Sequence, residues 1–445
     1  MTVIGLDDTD SREGGMCTTY VAVRVAEAVR EAGGRVDDLL LVRLNPAVRH
    51  KTRGNAALAV HTDLDADVAF DLARRELDRF AVADDPRTSP GLVVAEGDPA
   101  AVRDEIADFA RRAVRGHHSI ADAVALSDAV GYRHRGWKEG RGRIGALAAV
   151  GAEAAFDDWT YEHISYRTLD RCGTPREVDA ESVFAAADEG YPAVWDTVDR
   201  GEGEAVCVPH TPCPILYGVR GDDPDAVRAV ADGIEGEPVE RTALFRTNQG
   251  TDAHLRRGTL DPSADGPDPD GRAADGDGAD SEPVPVEDGG AYRLTGTVST
   301  APETRPGGHV FLALSADGRE LRCVAFEPTK HFRDRVRALR PGDRVTVCGE
   351  VREGTLKLEK FAVRDLVRTE LATPECPDCG RSMKSAGRDQ GYRCRRCGTR
   401  ADGREAVPLD RDLDLGWYEV PPCARRHIAK PLVRGGFDAA VHPER

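Results

Sequence analysis

No stretch of this sequence approaches the roughly 20 consecutive apolar residues needed to cross a bilayer. Its first residues, Met1-Thr-Val-Ile-Gly-Leu6, read as a strand rather than a basic segment with an apolar core. Neither a membrane span nor a secretory leader is expected, and the chain reads as soluble and cytoplasmic. Lysine is scarce: the 61 basic residues comprise 7 Lys and 54 Arg, against 78 acidic residues, for a net charge of −17. Such a surface suits a salt-rich solvent, where screening relieves self-repulsion. Its average sign also speaks against a phosphate-bearing partner. The 11 cysteines are too scattered for the dense framework of a secreted disulfide scaffold. The glycine turn at Ser11–Gly15 is neither a Walker A loop nor a G-x-G-x-x-G fingerprint.

What is present is modular. At roughly 100–200 residues per domain, 445 residues predict two to four domains. Charge divides unevenly among them. Residues 301–445 hold 28 Arg and Lys against 22 Asp and Glu, a net of +6, which leaves −23 for residues 1–300. Residues 261–288 carry ten acids and one Arg with almost nothing that packs, the composition of a disordered linker. Before it, strand-like runs (39–44, 92–95) alternate with helical patterns (20–32, 101–114), which reads as α/β or α+β.

After the linker, candidate strands at 292–299, 310–315, 321–326, 344–351 and 356–363, with a helix at 329–339, follow the order of an OB-fold. Some other small barrel is the alternative. Phe311, Phe326 and Phe361 are its few candidates for base stacking. Cys376-Pro-Asp-Cys379 and Cys394-Arg-Arg-Cys397, each followed by Gly, have the spacing of two knuckles that close a structural, tetrahedral zinc site. Arg393, Arg395, Arg396 and Arg400 surround the second knuckle, a basic ribbon suited to phosphate. The tail adds Trp417, Tyr418, Arg425, Arg426, His427, Lys430 and Arg434. That mixture suits RNA, and equally a strap packed on the barrel.

The chemistry concentrates at the start. Val3–Leu6 runs into Asp7-Asp-Thr-Asp10, and Ser11–Gly15 turns the chain into Met16-Cys-Thr-Thr-Tyr20 and an amphipathic helix. Alternation along an extended chain sends Asp8 and Asp10 to one side and Asp7 to the other. Crowded carboxylates repel unless a divalent cation lies between them, and oxygen-only ligands suit Mg²⁺ carrying a nucleotide. Gly14 and Gly15 would admit a phosphate, with Thr18 and Thr19 at the positive end of the helix. Lys51, Arg53 and Asn55 of Lys-Thr-Arg-Gly-Asn form a candidate phosphate clamp, and Arg141 and Gly142 of Gly140–Ala146 a second basic glycine loop. Asn248, Gln249, Asp252 and His254 read as a substrate-contacting loop.

In combination these landmarks, in order from Gly5–Asp10 to Arg425-Arg-His-Ile-Ala-Lys-Pro-Leu432, resemble the archaeal agmatinylcytidine synthetases of isoleucine tRNA, the TiaS family, over essentially the whole chain. Only the acidic segment 261–288 departs from the pattern. The resemblance implies an ATP-dependent ligase, with ATP spent to AMP and pyrophosphate. It would activate the C2 carbonyl of the wobble cytidine in the AUA-decoding isoleucine tRNA, which the amine of agmatine then displaces. It also implies a kinase-like module (1–160), a ferredoxin-like, substrate-contacting region (161–260), the linker (261–288), an OB-fold (290–368), a zinc ribbon (372–404) and a basic tail (405–445). Thr18 would be autophosphorylated, and Asp7, Asp8 and Asp10 would hold magnesium. Asp252 is the candidate partner for the agmatine guanidinium. Arg393, Arg395, Arg396, Arg425, Arg426 and Lys430 are the candidate tRNA contacts. Two other readings stay open on the residues alone: a non-catalytic OB-fold and zinc-ribbon nucleic-acid binder, and a small-molecule phosphotransferase.

Overall fold

A computed structural model describes residues 1–51, 54–260, 283–316, 318–426 and 428–445. Arg53, His427 and residues 261–282 of the acidic segment lie outside the described residues.

The N-terminal half is built on one nine-stranded sheet. Its strands are β1 (Thr2–Asp7), β2 (Val36–Arg43), β3 (Ala56–Thr62), β4 (Gly91–Glu96), β5 (Arg133–Gly136), β6 (Thr160–Tyr166), β7 (Val194–Trp195), β8 (Ile215–Gly221) and β9 (Arg241–Thr247), in the order β5-β4-β1-β3-β2-β9-β6-β8-β7. Among the described residues its only parallel neighbours are β2 and β9, paired at Leu40–Arg246 and Leu41–Thr247. That pairing joins the parts before and after residue 160 into one sheet.

The period-two alternation of strand side chains divides the apolar residues between two faces. Ile4, Leu6, Leu41, Leu58 and Val60 pack under helices α1 (Thr18–Glu31) and α2 (Ala66–Phe80). Val3, Leu40, Val42, Ala57 and Ala59 pack under α3 (Asp104–Arg115), α4 (Ile120–Val130), α5 (Arg143–Val150) and its continuation α6 (Ala152–Ala155). Strands β6 and β8 carry α7 (Ala180–Gly190) and α8 (Pro224–Asp232). Each fully buried Val, Leu or Phe adds about 1.5–3 kcal/mol to this core.

The chain leaves the sheet through β10 (Leu255–Leu260), which pairs in parallel with the first barrel strand, Ala291–Val298. The next four barrel strands are Val310–Ala316, Arg319–Ala325, Arg344–Arg352 and Thr355–Asp365, with a short helix, Phe332–Arg337, before the fourth. Numbering them one to five, the pairs are 1-2, 2-3, 3-5, 5-4 and 4-1, with 3-5 parallel and the rest antiparallel. The sheet therefore closes into a five-stranded barrel around Tyr292, Leu294, Leu312, Val347 and Phe361. Phe361 is fully buried in that core, so it offers no stacking face; Phe311 instead lies under the Arg305 guanidinium. The last residues of the acidic segment are part of this sheet: Pro283–Val284 pairs with β10, and the Asp288 carboxylate accepts from the N–H groups of Glu353 and Gly354.

The ribbon follows, and the tail then returns as a strap. Gly416–Glu419 pairs with the fifth barrel strand, burying Trp417 and Tyr418. Arg425 is buried between Asp196 and Glu419, and Arg434 reaches Asp158, Asp222 and the carbonyl of Gly250. Barrel and N-terminal sheet are thereby fastened together.

Candidate active site

A cavity of about 360 Å³ opens at the ends of β1, β2, β3 and β6. Asp7, Asp8 and Asp10 all line it. Strand alternation does not hold through this segment, because Asp8 takes a left-handed conformation (φ 59°) and the chain turns as β1 ends. Desolvation of the Asp7 carboxyl, reinforced by neighbouring Asp8, holds its pKa well above the usual range. Burial pushes Asp8 to about 6, against the pull of Arg141, whose Nη2 stands 3.3 Å from Asp8 Oδ2; the Ser89 N–H donates to the same oxygen at 3.1 Å. Crowded carboxylates that resist ionisation alone are the donor set a divalent cation would stabilise.

Helix α1 aims its N-terminus at this wall. Its first two residues, Thr18 and Thr19, line the cavity. The N-cap residue Cys17 bonds the Thr19 hydroxyl through its thiol but makes no side-chain capping bond to the helix backbone, and no acid occupies the first turn, so the positive dipole end of the helix faces the cavity uncapped by a side chain. Thr18 Oγ accepts from the Thr9 hydroxyl at 3.2 Å.

Glycines set the spacing. A β-carbon on Gly142 would stand 2.5 Å from the Asp7 carbonyl oxygen, and one on Gly145 would overlap the Asp7 carboxylate. Helix α5 can therefore lie against the end of β1 with Arg141 just ahead of it. Gly142 lines the cavity through this packing. Gly14 and Gly15 do not line it. They close a tight turn in which Gly14 N–H donates to Ser11 Oγ, Ser11 N–H bonds the Gly15 carbonyl, and the Ser11 hydroxyl bonds Asp85.

Lys51 and Asn55 also face the cavity. The Lys51 ammonium bonds the Pro46 carbonyl, and burial lowers its pKa; Asn55 Nδ2 donates to the Asn45 carbonyl at 2.8 Å. The expected substrate loop lies elsewhere. Asn248, Gln249, Asp252 and His254 are absent from the lining and buried or nearly so. Asn248 and Gln249 hold Arg43 by hydrogen bonds to its backbone and guanidinium. Asp252 accepts from Lys430 N–H at 2.8 Å and lies 3.9 Å from Lys360 Nζ, so its charge is already matched. Burial drops His254 to about 4, which keeps it neutral.

Residues the sequence left unassigned take their place: Glu162 of β6 and Arg220 of β8 line the cavity beside Arg43 of β2. They come from strands far apart in sequence, and only the pairing of Glu162 with Arg220 across β6 and β8 unites them.

In the ribbon, the sulfurs of Cys376, Cys379, Cys394 and Cys397 all lie within 4.8 Å of one another. Gly380 and Gly398, both left-handed, turn the two knuckles, and the N–H groups of Cys397 and Arg396 draw the Cys394 thiol down to about 6. Four convergent sulfurs with thiolate-stabilising amides fit zinc. Arg393, Arg395 and Arg396 are exposed around them. The tail residues differ. Arg425 is buried in its ion pairs, Arg426 bonds Glu350, and the Lys430 ammonium lies over Phe437. Arg425 is thus occupied within the protein, while Arg426 stays exposed and Lys430 half-buried.

A carboxylate-walled, anion-receiving cavity on an α/β sheet, fastened to a five-stranded barrel and a four-cysteine ribbon, marks a multidomain enzyme rather than a simple binding module. Family models match at residues 3–63 (TiaS TCKD domain), 140–254 (TiaS FLD domain) and 373–413 (TiaS C-terminal zinc ribbon domain). The chain is 54% identical to the isoleucine-tRNA 2-agmatinylcytidine synthetase TiaS of Haloquadratum walsbyi, covering 100% of both chains. It is 46% identical to that of Methanosarcina mazei, covering 97% of each. Among solved structures, a complex of TiaS with its isoleucine tRNA and ATP superposes with a TM-score of 0.85 at 39% identity, covering 100% of this chain and 99% of that one. A complex of TiaS with the same tRNA, AMPCPP and agmatine gives 0.82 at 37% identity, with the same coverage. The chain belongs to the TiaS family of isoleucine-tRNA 2-agmatinylcytidine synthetases.

Proposed function

We propose that in the cytoplasm this protein joins agmatine to C2 of the wobble cytidine of the AUA-decoding isoleucine tRNA: ATP phosphorylates the C2 oxygen, the agmatine amine displaces that oxygen as phosphate, and hydrolysis of the remaining diphosphate leaves AMP and a second phosphate. The observation that carries the reading is the meeting of Asp7, Asp8, Asp10, the N-terminus of α1, Lys51 and Arg141 around one cavity, in a chain matching TiaS proteins along its whole length.

A carbonyl oxygen is a poor leaving group, and phosphorylation makes it a good one. The cavity is suited to present a triphosphate: amides of α1 and the side chains of Lys51 and Arg141 meet its oxygens, while Asp7, Asp8 and Asp10 would hold Mg²⁺. When bound, that ion would neutralise phosphate charge. In this reading Thr18, the first residue of the helix and part of the cavity wall, is the residue that becomes phosphorylated. The cytidine must leave its stack to enter such a pocket. In this reading residues 1–160 act as the kinase-like module, the ferredoxin-like region follows, the barrel is an OB-fold, and the ribbon's zinc orders a surface that grips tRNA.

AMP release that requires both the tRNA and agmatine is the expected outcome. ATP turnover without tRNA would instead favour a small-molecule phosphotransferase, and no turnover at all a binding module. Asp8→Ala should abolish modification and leave tRNA affinity within about twofold by gel shift; retained modification removes the carboxylate from the chemistry.

A further inference from the structure

Arg43, Glu162 and Arg220 form a guanidinium–carboxylate–guanidinium row along one wall of the cavity, and the reaction proposed above assigns none of them a task. The Glu162 carboxylate is almost wholly buried, with Oε2 3.2 Å from Arg43 Nη2 and Oε1 3.2 Å from Arg220 Nε. A β-carbon on Gly218 would stand 3.0 Å from Oε1, so the bare backbone of β8 leaves room for the carboxylate. Burial alone would raise Glu162; the two guanidiniums hold it below its ordinary value, and it is ionised.

Each arginine is held by one edge and free at another. Arg43 gives Nε to Gln249 at 2.6 Å and Nη2 to Glu162, while Asn248 bonds both its backbone N–H and its carbonyl. Its remaining nitrogen, Nη1, lies beneath Gly54 in the loop that carries Lys51. Arg220 gives only Nε to Glu162, and its terminal nitrogens have no hydrogen-bond partner among the described residues. Both side chains remain partly open to the cavity, 25% and 15% exposed. One carboxylate against two guanidiniums leaves a surplus positive charge, and fixed guanidinium edges match the oxygens of a phosphate.

We propose that Glu162 is a positioning residue that holds Arg43 and Arg220 as a two-guanidinium clamp for a phosphate group in the cavity. The inference rests on the ATP- and tRNA-using reading of the site. The phosphate comes either from the nucleotide or from the RNA backbone at the inserted base, and both present the same oxygens.

Binding to the zinc-loaded full chain, measured without turnover, distinguishes the two sources and keeps this test apart from the AMP-release assay. The probes are a non-hydrolysable ATP analogue with Mg²⁺ and an isolated anticodon stem-loop RNA. Glu162→Gln, close in shape, should weaken one probe by about tenfold and leave the other within about twofold. The weakened probe names the source. In an Arg43→Ala/Arg220→Ala background the same substitution should change affinity less than about twofold, since Glu162 would have nothing left to orient. An equal loss in both backgrounds would show a general structural role and overturn the proposal, as would a folded Glu162→Gln protein that binds both probes normally. If Glu162→Gln does not fold, Arg220→Lys keeps the charge and loses the fork. It should show the same selective weakening, and normal binding of both probes by it overturns the clamp.

Discussion

Single residues at this site act largely through the space they leave. Gly145 has no chemistry of its own, yet any side chain there meets the Asp7 carboxylate. Gly145→Ala is expected to cost about 1–3 kcal/mol in stability through overpacking. Its effect on turnover should be larger, about a hundredfold, because displacing a reacting group by an ångström is enough for that. Thermal melting and AMP release on one preparation measure both, and equal, small losses would mean that Asp7 tolerates being moved. The acidic triad, the helix-start threonines and the four cysteines were legible in the sequence because each is a local pattern. Glu162 was not, because its partners are 119 and 58 residues away and nothing in Thr160–Arg167 distinguishes a charged ligand from a solvated strand residue. The Asn248–His254 loop was misleading for the opposite reason. Polar residues around a glycine look like a binding loop, and here their hydrogen bonds turn inward to Arg43 and the tail.

Among elements, the barrel was foreseeable because five alternating strands and one helix fall in a fixed order, whereas the strap's contacts cross more than 200 residues and leave no periodic trace. The strap also sets a pH dependence. Burial raises Glu359, beneath Arg426, from 4.5 to about 7. Between those values the folded protein keeps a proton that the unfolded chain has released. The associated stability is complete below about pH 4.5 and is lost as pH rises through 7, up to about 3 kcal/mol. Glu359→Gln should therefore flatten the fall in melting temperature between about pH 5 and 8, and an unchanged slope would place the titration elsewhere. The ribbon stands apart energetically. Its buried apolar cluster comprises only Cys376, Met383 and Cys394, too little to fold without the metal. Cys394→Ser, or chelation, should expose residues 373–413 to protease while the barrel stays resistant; equal resistance would refute a metal-dependent ribbon.

At the scale of the whole molecule, a net charge of −17 and a polyanionic substrate are compatible because the charges are partitioned. The surplus of +6 after residue 300 does not form a uniform basic face. Arg411, Arg425, Arg426 and Arg434 each spend their charge on a nearby carboxylate. Exposed cations remain on the ribbon, at Lys384, Arg388, Arg393, Arg395 and Arg396, and on the barrel, at Arg322, Arg335 and Arg344. Two classes of arginine substitution should then separate cleanly. Replacing Arg393, Arg395 and Arg396 together with Ala should weaken tRNA binding and lower the slope of log affinity against log salt by about 2–3, one counterion equivalent per lost phosphate contact. Melting temperature should hardly change, since these side chains are solvated. Arg425→Met should do the reverse: it leaves Asp196 and Glu419 buried without their partner, costing about 3–5 kcal/mol, while the salt slope stays put as long as the protein is folded. If Arg425→Met instead reduced the slope as much as the ribbon triple variant, the tail would be gripping RNA directly, and its buried ion pairs would have to open on binding.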